Sequence, residues 1–338
     1  MALRVMQVFL PQGSDSTPDE LLEDREILGR WRDTDSGQTV LHLLVPADET
    51  EPIMDRFEEH YADVEGFHVV LMPVEAVLPR PKVEPNPAKP EESNGSNGKK
   101  HHRISREEMY DEATDSIGIT RVFLSMTVLS AVVACVGLMR NDVAVIIGAM
   151  VIAPLLGPNM AMSLAATLGD ASLLRRAFLV NLMGFGVAFA FAVLVGLVFT
   201  ADPSTPAIAA RTSLGLGDIL LALAAGTAGA LAFTRGETGA AIGVMVAVAL
   251  MPPLVACGML VGSGYNNHAI GAFLLTAANV ICINLAGVVT FIVQGVRPRS
   301  WREAIIAKKE TRRAMLVWAI LLAALVLVLK LSPLGSEL

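Results

Sequence analysis

The sequence is poor in the residues that usually carry chemistry. Its three cysteines, Cys135, Cys257 and Cys282, lie in apolar stretches with no paired spacing. That argues against a disulfide framework or a thiolate metal centre, and they read as small membrane-buried residues. No H-E-x-x-H or G-x-S-x-G run occurs, so metalloprotease and serine-hydrolase readings have no anchor. Lys and Arg number 26 against 33 Asp and Glu, for a net charge of −7. Without a basic surface, nucleic acid drops out of the expected partners. No cleavable signal peptide is visible, because the apolar run in MALRVMQVFLPQG is too short. Charge is also absent from the middle of every long apolar stretch beyond residue 118.

What is present is hydrocarbon, unevenly distributed. The chain of 338 residues is 53% hydrophobic. Residues 1–118 read as soluble, while most of 119–333 is apolar with charges confined to short gaps. The stretch from Val143 to Leu168 is uncharged and long enough to cross a bilayer, where a helix needs ~20 apolar residues. At its centre stands Ala153-Pro154-Leu155-Leu156-Gly157-Pro158-Asn159. Proline removes a backbone donor and clashes with the preceding turn, so the helix is expected to break near mid-membrane. Irregular backbone at that depth is tolerated only inside protein or beside a wet cavity. Two readings stand: a ligand site, or a structural kink.

The stretch has a counterpart 95 positions on. Ile147-Gly148-Ala149-Met150-Val151 maps onto Ile242-Gly243-Val244-Met245-Val246, Pro158 onto Pro253, and Arg140 onto Arg235. Asp142 meets Glu237, and Ala177-Phe178-Leu179 meets Ala272-Phe273-Leu274. One ungapped register across three apolar segments and a loop argues for an internal repeat. The second copy carries its own expected break at Met251-Pro252-Pro253.

Seven spans are expected, at about 119–139, 143–168, 174–199, 217–234, 238–262, 269–294 and 314–333. Arg175, Arg176, Arg235 and the basic loop 295–313 then fall on one side, which the positive-inside rule makes cytoplasmic. The expected setting is the cell membrane, multi-pass, with the N-terminus cytoplasmic and the C-terminus outside. Each copy (119–199 and 217–294) holds three spans, so the second must run inverted, as in many secondary transporters. A re-entrant span two would undo that parity. The expected fold is thus a multi-span α-helical membrane protein of about seven helices. It is a 3+3 inverted repeat with two broken helices, plus one extra helix at 314–333 and a small N-terminal α/β cytoplasmic domain.

That domain covers 1–78. The spacing predicts strand Leu3–Leu10, a capped helix from Thr17-Pro18-Asp19-Glu20 to about Trp31, strand Thr39–Val45, helix Glu51–Tyr61 and strand Phe67–Val77 with Pro73 inside. The order is β-α-β-α-β, ferredoxin-like if one strand is hidden. Residues 79–103 read as a Pro/Asn/Gly linker. Ser105-Arg106-Glu107-Glu108 is a capping box opening an amphipathic surface helix within 104–118.

At Asn141–Pro158 the run N-D-x-A-V-I-I-G-A-M-x-I-A-P-L-x-G-P resembles the hallmark of an uncharacterised family of bacterial and archaeal hydrophobic-domain membrane proteins, domain-of-unknown-function family 389. The resemblance covers about Asp115 to Val293. It implies a multi-span membrane protein and supplies no substrate or active residue. Asp142 stands where a serine is expected.

Function must come from the polar residues within the spans. Candidate substrate contacts are Pro154, Gly157, Pro158, Asn159 and Ser163 at the first break, Pro252 and Pro253 at the second, and Asn279 and Asn284 on the sixth span. Asn159 and Ser163, four apart, share a helical face. A broken helix offers N–H groups to an anion and carbonyls to a cation. The alternative is that these side chains bond neighbouring helices. Arg140, Asp142, Arg235 and Glu237 are candidate gates, or ordinary span-end charges facing water. Gly258-x-x-x-Gly262 permits close helix contact, within the protomer or in a homo-oligomer. Gly215-Leu216-Gly217-Asp218 with Tyr110-Asp111 mimics an intramembrane aspartyl protease, but those carboxylates cannot meet inside the membrane. No enzyme activity, metal or cofactor is expected. The expected function is a transporter or channel for an ion or small solute, with the bilayer as its setting. Its substrate would bind at the paired breaks, under regulation by the N-terminal domain. The alternative is a non-transporting membrane sensor or scaffold whose α/β domain carries the function.

Overall fold

The computed structural model describes residues 3–10, 18, 21–35, 38–62, 64–74, 77, 104–236 and 240–298, with isolated positions 316, 318, 320 and 323. The chain divides into two compact units, Met1–Glu108 and Met109–Leu338. Most of the linker, the basic loop beyond residue 298 and most of the seventh expected span lie outside the described residues.

In the first unit, β1 (Leu3–Leu10), β2 (Gly29–Asp35), β3 (Gln38–Pro46) and β4 (His68–Val74) form one antiparallel sheet in the order β2-β3-β1-β4. This is the ferredoxin-like strand order, and β2 is the hidden strand. The expected helix is helical at Pro18 but does not reach Trp31: residues 21–24 turn, and Trp31 pairs with His42 across β2 and β3, rings stacked at 5.1 Å. Cross-strand ring pairing of this kind stabilises a sheet and has no use for a helix. Helix α1 (Thr50–Tyr61) lays Ile53, Phe57 and Tyr61 with Met6, Val8, Leu41 and Leu43 in one buried cluster. Pro73 sits in β4 at the sheet edge, the kind of strand to which proline is largely confined.

Helix α2 (Arg106–Ser116) opens with the expected capping box: Ser105 N donates to Glu108 Oε2 at 3.0 Å and Glu108 N to Ser105 Oγ at 3.2 Å. Buried Arg106 donates to Asp55 at 2.8 Å and pairs with Glu107, while Arg4 donates to Glu108 at 2.8 Å. Met109, Ala113 and Ile117, spaced by four, form the buried stripe at the start of the second unit.

The second unit is helical. It holds α3 (Arg121–Met139), α4 (Val143–Ile152), α5 (Leu156–Leu168), α6 (Ala171–Val198), α7 (Leu216–Phe233), α8 (Ala240–Gly262) and α9 (Asn266–Val293). Four of these are long and apolar enough to cross a membrane, five if the bent pair α4–α5 is one span. Val122, Met126, Leu129, Val132 and Val136 are exposed along one side of α3, as a bilayer-facing surface requires.

The first expected break is present: α4 and α5 meet at a 55° bend across Ala153-Pro154-Leu155. The second is not. α8 runs unbroken from Ala240 to Gly262 with Pro252 and Pro253 inside it. Each proline forfeits one helical bond, but residues 250–260 are buried on every side, and close neighbours hold the helix together where propensity alone would not.

Candidate site at the broken helix

Past the bend, α5 is buried from Pro158 to Thr167. Its polar residues Asn159, Ser163 and Thr167 recur every four positions, so they share one face. Asn159 is the hub of what that face meets. Its Nδ2 donates to Leu155 O at 2.8 Å and, more weakly, to Asn181 Oδ1 at 3.4 Å. Its Oδ1 accepts from Asn181 Nδ2 at 3.0 Å and from Asn284 Nδ2 at 3.1 Å. Asn284 also donates to Val280 O at 2.9 Å. Ser163 Oγ lies 3.1 Å from Asn159 O and 3.2 Å from Asn284 Oδ1. Thr167 donates to Ser163 O at 2.8 Å.

Three asparagines and a serine from α5, α6 and α9 thus form one buried polar knot, with Asn159, Ser163 and Asn284 fully shielded from solvent. Most amide donors and acceptors in it are occupied from within. The structure brings Asn159, Ser163 and Asn284 together as candidates and adds Asn181. A polar residue in mid-span was its only mark in the sequence. Asn279 is buried on α9, but five residues at ~100° each turn it about 140° away from Asn284. Pro252 and Pro253 are buried within α8.

The bend itself is filled by protein. Ser130 Oγ donates to Ala149 O at 2.7 Å, serving a carbonyl in the last turn of α4. Sequence reasoning missed Ser130. Pro158 is the third residue of α5, where its missing N–H costs nothing. Gly157 is approached by α2: a Cβ there would lie 2.6 Å from Ser116 Cβ and 2.9 Å from Ser116 Oγ. Its lack of a side chain therefore admits a neighbouring helix. Alongside, Tyr110 Oη donates to Asp170 Oδ2 at 2.9 Å, and that bond holds the phenol above its ordinary pKa.

The candidate gates lie at helix ends. Asp142 caps α4, accepting from Ala144 N at 3.0 Å and Val145 N at 3.3 Å, a role a serine fills equally well. Asn141 before it has φ of 51°, and its Oδ1 accepts from Ala207 N at 2.9 Å. Arg140 and Arg235 are exposed. Glu237 lies outside the described residues. Asp218 caps α7, accepting from Gly215 N at 2.8 Å, which gives the protease-like run a structural role. Among the described residues no cluster of three or more His, Cys, Asp or Glu is placed to hold a metal.

A family model described as Domain of unknown function (DUF389) matches residues 150–285, which hold the bend and the whole knot. An uncharacterised protein of Methanocaldococcus jannaschii is 31% identical over 327 residues, covering 96% of this chain and 98% of that one. No solved structure matches the chain. The match is carried through nearly the full length of both chains, and the chain belongs to the family described as Domain of unknown function (DUF389).

Proposed function

We propose that the second unit moves a small ion or solute across a membrane, using two inverted three-span halves whose polar path runs through the Asn159 knot. The observation that carries this reading is the knot itself. In otherwise apolar helices, Asn159 of the first half, itself bonded to Asn181, accepts from Asn284 of the second, directly past a broken span. Polar groups are expensive inside a bilayer and tend to mark a path or a site.

Burial supports the repeat. The buried residues of α7 are Ala222, Ala225, Gly226, Gly229, Ala230, Ala232 and Phe233. Subtracting 95 from each gives Thr127, Ser130, Ala131, Ala134, Cys135, Gly137 and Leu138, all buried on α3. A cross-half contact repeats as well. A Cβ on Gly287 would lie 2.6 Å from Ser163 Oγ, and one on Gly258 would lie 2.6 Å from Ala192 Cβ. These are one contact under the offset, which carries Ser163 onto Gly258 and Ala192 onto Gly287.

The bend reads as a broken span. Asn141, just before α4, bonds Ala207 beyond the C-terminal end of α6, while α5 ends at Leu168 where α6 begins. α6 has 28 residues, about 42 Å at 1.5 Å per residue. A bent pair joining its two ends traverses the bundle. Seven spans, a cytoplasmic N-terminus and regulation through α2, whose Ser116 abuts Gly157, complete the proposal.

Orientation has its own test. Ser204 and Asn266 are exposed, and the segments beside them meet where Ala201 N donates to Ser263 Oγ at 2.8 Å. Cysteines at 204 and 266 should label with an impermeant reagent from outside, and one at 300 only after permeabilisation. Outside labelling at 300 would reverse the topology.

Transport is tested by flux from proteoliposomes against a panel of anions, cations and small neutral solutes. Ser163→Ala removes about one hydrogen bond, worth ~0.5–1.5 kcal/mol net, and should weaken apparent affinity by roughly threefold to tenfold. Folded protein that moves none of the panel would favour the alternative: a sensor or scaffold in which the self-satisfied knot only holds helices together.

A further inference from the structure

A second feature of the membrane unit adjoins the knot and shares Asn181 with it. Between α6, α8 and α9 opens a cavity of about 840 Å³. That size falls within the range of about 300–1,000 Å³ seen for small-molecule sites. Its mouth is formed by Phe178, Leu182, Ile270 and Phe273, each more than half exposed. These residues stand on helices apolar enough to cross a membrane, so the mouth opens toward hydrocarbon. No charged side chain lines the cavity among the described residues.

Asn181 and Thr276, 3% and 5% exposed, are among the lining residues, as is the exposed Asn266. Asn181 and Thr276 are equivalent positions of the repeat, as are Phe178 and Phe273, each pair 95 apart. Thr276 Oγ1 donates to Ala272 O at 2.9 Å, which leaves its lone pairs for an incoming donor. Asn181 Oδ1 receives Asn159 Nδ2 only at 3.4 Å and retains acceptor capacity. An occupant that complements this lining has a hydrocarbon body, no charge and a hydroxyl to donate. A phosphate head would find no cation here.

We propose that the α6–α8–α9 cavity binds a single-chain amphiphile with a neutral, hydroxyl-bearing head, its chain between the two phenylalanine-lined walls and its hydroxyl at Asn181 and Thr276. Occupancy does not require solute movement, so this site stands or falls separately from the transport path.

Trp318 also lines the cavity and serves as the reporter. The chain has three tryptophans, so Trp31→Phe with Trp301→Phe leaves Trp318 alone. Full-length protein in phosphatidylcholine nanodiscs is titrated with a monoacylglycerol brominated on its chain. Quenching of Trp318 should saturate and should be reversed by the unbrominated compound. A Cβ on Gly186, which lines the cavity, would meet nothing within 4 Å. Gly186→Leu should therefore fold normally while filling the space, and should weaken binding at least tenfold. Thr276→Val should weaken it by roughly threefold to tenfold. Quenching that rises linearly with bromolipid fraction and ignores Gly186→Leu would overturn the site. Equal saturable quenching by a brominated phosphatidylcholine would overturn the neutral head. If nothing saturates and Gly186→Leu instead changes the mass of the assembly, a second copy of the chain fills the groove and the proposal fails.

Discussion

Gly262→Leu should leave little folded membrane unit, and Gly196→Leu should do the same. A Cβ on Gly262 would run into Val193 O and lie 2.8 Å from Leu197 N. One on Gly196 would run into Met259 O. These obstacles are backbone, so no rotamer change relieves them. The two helices must separate, with loss of dispersion along the whole α6–α8 seam. Overpacking a core typically costs about 1–3 kcal/mol, and a clash against immobile main chain belongs at or above the top of that range. Gly148→Leu is the control, since a Cβ there meets nothing within 4 Å. Thermal unfolding and size-exclusion profiles in detergent should show Gly262→Leu aggregated or strongly destabilised and Gly148→Leu near wild type. A normal melting profile for Gly262→Leu would mean that α6 and α8 do not touch as described.

The second large effect is expected at the knot. Asn159→Leu keeps the approximate volume but removes the acceptor shared by Asn181 and Asn284. Two buried N–H groups are orphaned, at about 1–3 kcal/mol each in protein interiors, and less where the unfolded helix finds other partners in lipid. Ser163→Ala deletes one donor that has several acceptors within reach, and should cost roughly 1 kcal/mol or less. Thermal melts should therefore rank Asn159→Leu well below Ser163→Ala. Equal midpoints would mean that the asparagines are bonded otherwise. Asn159→Leu together with Asn181→Leu and Asn284→Leu should recover part of the loss, because it removes the orphans along with the hub.

Much of this was legible in the residues because the bilayer leaves a chain few options. The four long apolar helices, the Pro154 bend and the Ser105–Glu108 capping box follow from local composition and spacing. The 95-residue offset is readable because it carries buried positions of α7 onto buried positions of α3. The double proline at Pro252-Pro253 misleads because sequence records the lost backbone bonds but not the burial around them. β2 was hidden because a charged strand at a sheet edge, Gly29-Arg30-Trp31-Arg32, resembles the tail of a helix. At the site, the proximity of Asn159 and Ser163 could be read from their spacing. Their partnership with Asn181 and Asn284 could not, since it depends on how α6 and α9 cross α5. Gly157 could be identified as a point of close approach, but its visitor, Ser116, lies 41 residues earlier and carries no sequence mark of the contact.

The glycine seam also bears on how the protein is made. Gly196 faces Met259, and Gly262 faces Val193, so α6 fits a helix that the ribosome delivers later. Gly262 follows Gly196 by 66 positions. At ~5–20 residues per second the notched face of α6 waits roughly 3–13 s in the bilayer for its counterpart. During that interval lipid or an earlier helix of the same chain must cover it. Slowing translation between α6 and α8 lengthens that exposure without altering a single residue.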